Sequence, residues 1–214
     1  MTLQKQLETG NVIVSTASGA KGLGDITVDA PVNWGNNNSL TLQADNNITV
    51  NEPITNYSGN GALTLNAGNA ISVNSDLRTV GGNISLTSTK DINIAAYDGN
   101  LNAQTSFGNG GSITLSTSGG NITTGNLNSF SDGGTGGNIN LSTGRTGAID
   151  TTAGILSSYS QAGSGGSITL STAGGKITTG VLNSYSNADG DGGNINLSTA
   201  GTGAIDTTAG GVFS

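Results

Sequence analysis

The side chains that could do chemistry are few and scattered along this chain of 214 residues. It contains no His and no Cys, with 13 acidic and six basic residues, so any acid, base or nucleophile must come from carboxylates, amines and hydroxyls. The best carboxylate pair is Asp150 with Asp206, each in an Ala-Ile-Asp-Thr-Thr-Ala-Gly segment. If equivalent segments stack, the two lie two strand spacings apart with Thr178 between them. That is about 9.6 Å, just beyond the carboxyl separation of an inverting glycosidase. No sequence neighbour tunes either group, so they read as two solvated surface acids. Asp189-Gly190-Asp191-Gly192, together with Asp132 from an earlier segment, offers loop oxygens that calcium could take. The stretch lacks the spacing of a dedicated calcium loop or of a Gly-Gly-x-Gly-x-Asp β-roll, so no metal ligand and no cofactor is assigned. Arg145, in Thr143-Gly144-Arg145-Thr146-Gly147, reads as a solvated turn.

The aromatic residues are better organised. Trp34, Tyr57, Phe107, Phe130, Tyr159, Tyr185 and Phe213 make up seven of the eight aromatics (one Trp, four Tyr and three Phe), and they recur at similar points in successive segments. One reading is a stacking ladder that closes a corner of the fold. The other is an exposed strip of rings, with Tyr57, Phe130, Tyr159 and Tyr185 as the candidate edge for carbohydrate or a protein partner. The ladder is the first reading, and strict alternation from an inward Leu127, which sends Phe130 outward, keeps the exposed strip open as the second.

The elements that must position these residues are repeats. Ile113 to Ser167 returns almost letter for letter from Ile168, and units of the form Gly-Gly-[Ser/Asn]-Ile-x-Leu-Ser-Thr recur within it. Apolar-x-apolar openings stand at Val12, Leu40, Leu63, Ile84, Ile113, Ile139, Ile168 and Ile195, separated by 21 to 29 residues. A second short run follows each, from Ile26, Ile48, Ile71, Ile92, Ile122, Ile149, Ile177 and Ile205. A third, weaker run begins near Val32, Ile54, Leu77, Leu101, Leu127, Ile155 or Leu156, and Leu182. The alternation has period two and is punctuated by Gly and Asn, which excludes a helical repeat.

Three short strands per unit predict an all-β fold, a right-handed parallel β-helix of about eight triangular coils. Each strand pairs with its equivalent one coil away. Residues 1–11 form an N-terminal cap segment and 12–214 one β-helix domain about 38 Å long. Thr2 to Glu8, with Leu3 and Leu7 four apart, predicts one or two helical turns lying over the first coil. The last coil, from Ile195, reads as cut short, and Asp206 to Ser214 as uncovered. Inward positions fall to Ile and Leu, outward ones to Thr, Ser and Asn, and the 37 glycines to corners needing positive φ or close backbone approach.

Gly24-Asp25-Ile26-Thr27-Val28, Leu40-Thr41-Leu42-Gln43-Ala44, Asn47-Ile48-Thr49-Val50-Asn51-Glu52-Pro53-Ile54 and Leu63-Thr64-Leu65-Asn66-Ala67-Gly68 resemble the repeat region of filamentous-haemagglutinin-like exoproteins. These are the β-helical adhesins of bacterial two-partner secretion. The likeness covers nearly the whole chain from Gly10. The family's Asn-Pro secretion motifs are missing, since Pro31 follows Ala30 and Pro53 follows Glu52. The resemblance therefore implies a piece of the repeat shaft, secreted or on the bacterial surface, whose parent uses an outer-membrane secretion partner. It brings no catalytic residue.

Bulk properties agree with that expectation. The net charge is -7, and the basic residues Lys5, Lys21, Arg78, Lys90, Arg145 and Lys176 form no stripe to neutralise phosphates, so nucleic acid is not an expected partner. No run is long and apolar enough for membrane insertion, and Met1 to Gly10 lacks the apolar stretch of a signal peptide. The expected function is a non-enzymatic adhesin or structural shaft presenting an extended surface to host-cell or matrix glycans or proteins. Two alternatives stand beside it. A carbohydrate-active β-helix enzyme is disfavoured by the missing His and isolated acids. An ice-binding solenoid is disfavoured because the outward column Thr27, Thr49, Ser72, Asn93, Thr123, Asp150, Thr178, Asp206 interrupts its Thr array with amide and charge.

Overall fold

A computed structural model describes residues 2–16, 24–96 and 98–214, leaving Lys21 outside the described residues. The chain forms a three-faced parallel β-solenoid. Each face is one sheet of eight parallel strands, and the chain passes every face eight times. The first sheet runs from Val12–Ser15 to Ile195–Thr199, the second from Ile26–Val28 to Ile205–Asp206, and the third from Val32–Trp34 to Val212–Phe213. The last coil, expected to be cut short, carries all three of its strands.

Period-two alternation sets the register. Leu40, Leu63, Ile84, Ile113, Ile139 and Ile168 pair directly as one inward column of the first sheet. Ile48, Ile71, Ile92, Ile122, Ile149 and Ile177 do the same in the second sheet. Leu77, Leu101, Leu127, Leu156 and Leu182 do so in the third, where Leu156 and not Ile155 takes the inward place. All of these side chains are fully buried and form one continuous core along the rod. No single coil could bury them, because each contributes only a few aliphatic groups and relies on its neighbours for the rest.

The core is not purely aliphatic. Thr117, Thr143 and Thr172 end strands of the first sheet with their side chains inward, and their hydroxyls donate to the carbonyls of Gly120 (2.7 Å), Gly147 (2.6 Å) and Gly175 (2.7 Å). Ser129, Ser158 and Ser184 are likewise buried beside the third sheet and donate to Gly111, Gly137 and Gly166, each at 2.6 Å. These bonds explain the Leu-Ser-Thr ending and the Gly-Gly opening of the repeat. In these coils a buried hydroxyl anchors the corner after the first sheet and another the corner after the third, each meeting a corner carbonyl.

Positive φ accounts for few of the corners. Among the described residues only Gly24, Gly59, Gly81, Gly108 and Gly201 adopt it, with Arg145 (φ 51) as the lone non-glycine case. Most other corner glycines are needed for space, as Gly165 illustrates below.

At the N-terminal end a short helix, α1 (Leu3–Leu7), lies over the first coil. Five residues cannot hold a helix alone, so docking must stabilise it. Thr2 caps it by accepting from the Lys5 N–H, Leu7 is fully buried, and Leu3 packs against the core. The Leu7 carbonyl accepts from the side-chain amides of Asn36 (2.9 Å) and Asn38 (2.7 Å), which tie the helix to the first coil. Removing residues 1–9 would expose the Leu7 site and leave two amide donors unpaired, a loss of roughly 3–5 kcal/mol. A lower melting temperature and more aggregation are expected in thermal unfolding with light scattering. An unchanged melt and a monodisperse sample would remove the cap from the account. At the other end Val212 and Phe213 are 48% and 52% exposed.

Candidate functional site

The outer face of the third sheet gathers the four aromatic residues named as the candidate edge. Residues two apart on a strand point the same way, so this face is read as three outward columns. The column after the inward Ser positions contains Tyr57, Val80, Gln104, Phe130, Tyr159 and Tyr185. Bridges from Thr105 to Ser131, Ser131 to Ser160 and Ser160 to Ser186 fix this register from Gln104 onward, and the pairing of Arg78 with Thr55 and Asn102 extends it to Tyr57 and Val80. All four candidate residues, Tyr57, Phe130, Tyr159 and Tyr185, thus share one column.

Three of them form a continuous ladder. The rings of Phe130 and Tyr159 stack with centroids 5.0 Å apart and planes 2° from parallel, and those of Tyr159 and Tyr185 at 5.1 Å and 10°. Parallel rings at that distance are offset stacks, the geometry their quadrupoles prefer. The ladder stands outside the core and is half-buried. The serines on either side hold its base: Ser129, Ser131, Ser158 and Ser160 are fully buried, and their hydroxyls donate to carbonyls of corner glycines. Burial, Tyr185 and Asp132 together raise the Tyr159 hydroxyl above its ordinary pKa, partly offset by a hydrogen bond with Gln161. The phenol is therefore neutral across the physiological range.

The other aromatics stand outside the ladder. Tyr57, 65% exposed, is separated from the ladder by Val80 and Gln104, and its ring lies across Gly35 of the preceding coil, where a Cβ would fall 2.2 Å from it. Trp34 pairs with the buried Asn56 and points inward, 2% exposed, donating its indole N–H to the Asn38 carbonyl at 2.7 Å. Phe107 lies in the corner beyond the column, and Phe213 pairs with Asn183, two positions before Tyr185 in register. Proximity in the sequence did not separate these positions. Counting from the inward Leu of each third strand does.

The same count reveals polar columns that the sequence reading passed over. Thr55, Arg78, Asn102 and Asn128 are paired neighbours, one per coil. Beside them Asp76, Asn100 and Asn126 are stitched together: Asn100 donates to Asp76 at 2.9 Å and Asn126 to Asn100 at 3.0 Å. Between the two columns lies a cleft of about 550 Å³. Asn128, at its last rung, is two residues from Phe130, so cleft and ladder adjoin on one face.

The acidic candidates are not brought together. Asp150 pairs with Thr178 and Thr178 with Asp206, which leaves the two carboxylates two rungs apart. Each accepts from the N–H and hydroxyl of the Thr two residues on, Thr152 or Thr208. Contrary to the expectation that nothing tunes them, Asp206 is lowered to about 2, chiefly by the Thr208 hydroxyl and then by Lys176, whose ammonium is 3.0 Å away. A general acid needs the opposite shift. Asp132 is in register with Gln161 and Asn187, whereas Asp191 aligns with Ser164 and Thr135, so the suggested calcium loop is not assembled. Among the described residues no three acidic, His or Cys side chains come close enough to hold a metal. Arg145 is exposed on its turn. No helix among the described residues is long and apolar enough to cross a membrane.

Searches against protein-family models, curated proteins and solved structures return no match.

Proposed function

We propose that this chain is a segment of a non-enzymatic rod, an adhesin or structural shaft of the filamentous-haemagglutinin-like kind. It would be secreted or held at a bacterial surface after export through an outer-membrane partner. The observation that carries this reading is the outer face of the third sheet, where a polar cleft and an aromatic ladder follow one another along the rod axis and meet at Asn128 and Phe130. A solenoid whose interior is filled with side chains binds along its faces, not in a pocket within them. The resemblance in the first coils supports the same reading.

The geometry changes how the ladder would act. Because Phe130, Tyr159 and Tyr185 shield one another's faces, a host-cell or matrix glycan or protein meets ring edges, the Tyr hydroxyls and the outermost faces of the stack. Individual contacts of this type are weak, so avidity should rise with the number of coils displayed.

The double change Tyr159→Ser and Tyr185→Ser removes both stacks. Each stack is worth about 0.5–1.5 kcal/mol beyond its buried area, so the melting temperature should fall by several degrees without loss of the fold. Adhesion to cells or to immobilised glycans should drop about tenfold. If adhesion is unchanged while the fold collapses, the ladder is a structural device and the binding role fails.

A further inference from the structure

We infer that the cleft between the Asp76 and Arg78 columns is a binding site for a neutral, hydroxyl-rich linear glycan laid along the rod axis. This deepens the reading of the rod as a display surface and rests on it. The two walls differ in a way that suits a ligand. On one side Asp76, Asn100 and Asn126 already satisfy one another, and Asp76 and Asn126 also accept from the backbone N–H groups of Asn100 and Ile155. That wall is held rigid. On the other side the outward side chains are poised and largely unused. Asn102 engages only its carbonyl oxygen, with the Gln104 N–H, and among the described residues Arg78 takes part in no ion pair and Asn128 in no side-chain hydrogen bond. A guanidinium and two amides therefore stand one per coil, about 4.8 Å apart, along a shallow trough. Its volume of about 550 Å³ lies in the range of small-molecule sites.

Repetition at one coil per step fits a polymer with repeating groups better than it fits a compact metabolite. Charge selects the kind of polymer. The cleft is lined by one acid and one base, and the chain carries a net charge of -7, so a polyanion would be repelled by the field of the whole rod. Sugar hydroxyls both donate and accept, which matches a wall offering the Asp76 carboxylate, Asn carbonyls, amide N–H groups and a guanidinium. At the last rung Phe130, two residues from Asn128, offers the outermost ring of the ladder as a stop against which a sugar could pack.

The test is titration calorimetry of the full chain with neutral linear glucan, mannan and galactan oligosaccharides, and with an oligogalacturonate of equal length. At least one neutral oligosaccharide should bind at about millimolar strength, independently of salt. Arg78→Ala should weaken that binding about tenfold and Asn128→Ala about fivefold. Both residues are outward and can be changed without touching the core, so the melting temperature should stay put. No binding by any neutral oligosaccharide, or binding untouched by both changes, overturns the site. Preference for the galacturonate, weakening with salt, overturns the assignment of a neutral ligand. The Tyr159→Ser, Tyr185→Ser chain should retain cleft binding, which separates failure of the cleft from failure of the ladder. Shortening of a bound oligosaccharide would leave the site standing and overturn the non-enzymatic reading instead.

Discussion

Leu170→Asp is expected to break the rod at its seventh coil. Leu170 is fully buried, and its column continues into Leu141 before it and Leu197 after it, so a carboxylate there meets aliphatic carbon on both sides along the axis. Burying an unpaired charge costs several kcal/mol, and a core this narrow offers neither water nor a partner nearby. A loss of about 4 kcal/mol would lower the melting temperature of a chain of this size by roughly 8–16 °C. Because each coil touches only its neighbours, unfolding should also lose cooperativity, with the C-terminal coils melting ahead of the rest. Leu141→Asp should behave alike. Thr169→Asn, one residue from Leu170, is the matched control. Thr169 faces outward and pairs directly with Asn140 and Asn196, so the change copies its neighbours and should leave the melt unaltered. Calorimetric melts of the three variants decide the matter, and equal damage from Leu170→Asp and Thr169→Asn would mean that the strand faces have been assigned the wrong way round.

That contrast shows what was readable in the residues alone. Ile-x-Leu recurrence fixed strand position and facing, because a half-buried strand must alternate and a stacked coil must repeat its alternation in place. The third runs were legible as far as their inward Leu, including the ambiguity at Ile155 and Leu156, which only pairing with Leu127 and Leu182 resolves. The aromatic column was half legible. Phe130, Tyr159 and Tyr185 lie within near-identical repeats and could be superposed by eye, but Trp34, Phe107 and Phe213 lie in coils with different corners, where a shift of one residue changes the face and a shift of two changes the column. The cleft escaped notice because Arg78 differs in type from Asn102 and Asn128 and the three belong to coils of unequal length. Their relation is one of register, and register becomes visible only when strands are paired. Asp206 was half legible in the same way: Thr208, the chief cause of its lowered pKa, is two residues away, but Lys176, the second, is distant in sequence and reaches it across one coil.

Inward Ser and Thr were the main physical surprise, since polar residues in this composition were expected to face solvent. The hydroxyls that end the first and third sheets stay inside because the corners carry backbone carbonyls for them to meet, whereas the buried Thr124 and Thr179 hydroxyls beside the second sheet find no partner among the described residues. A short side-chain donor satisfies a corner carbonyl more compactly than water would in so tight a space. The repeat's Gly-Gly and its Ser-aromatic-Ser are therefore two halves of one joint: the serine reaches in to hold the glycine corner, and the intervening ring is turned out into the ladder. Ladder and core are coupled through backbone only one residue long, so the aromatic face is as regular as the core beneath it.

The tightness of that joint leads to the second large effect, at Gly165. A Cβ built on Gly165 would lie 1.9 Å from the Ser184 carbonyl oxygen, and the equivalents at Gly136 and Gly110 would lie 2.0 Å from Ser158 and 2.2 Å from Ser129. Gly165 has no positive φ, so its glycine is needed for closeness alone. The obstructing atom is backbone and cannot rotate away. It also accepts the Gly193 N–H at 2.6 Å, so moving it breaks the bond that joins the corner to the next coil. Gly165→Ala is expected to cost about 2–3 kcal/mol, the usual penalty of forcing a methyl into a filled site, and Gly165→Val more. Gly10→Ala tests the reasoning from the other side. Nothing lies within 4 Å of a Cβ there and φ is ordinary, so the change should be silent or stabilise by up to about 1 kcal/mol, through a less flexible unfolded chain. Urea unfolding midpoints of the two alanine variants should move in opposite directions, or one should fall while the other stays fixed. If both fall together, the corner glycines are selected for backbone freedom and not for the approach of one coil to the next. The serine–glycine joint would then no longer explain why the repeat is written with two glycines.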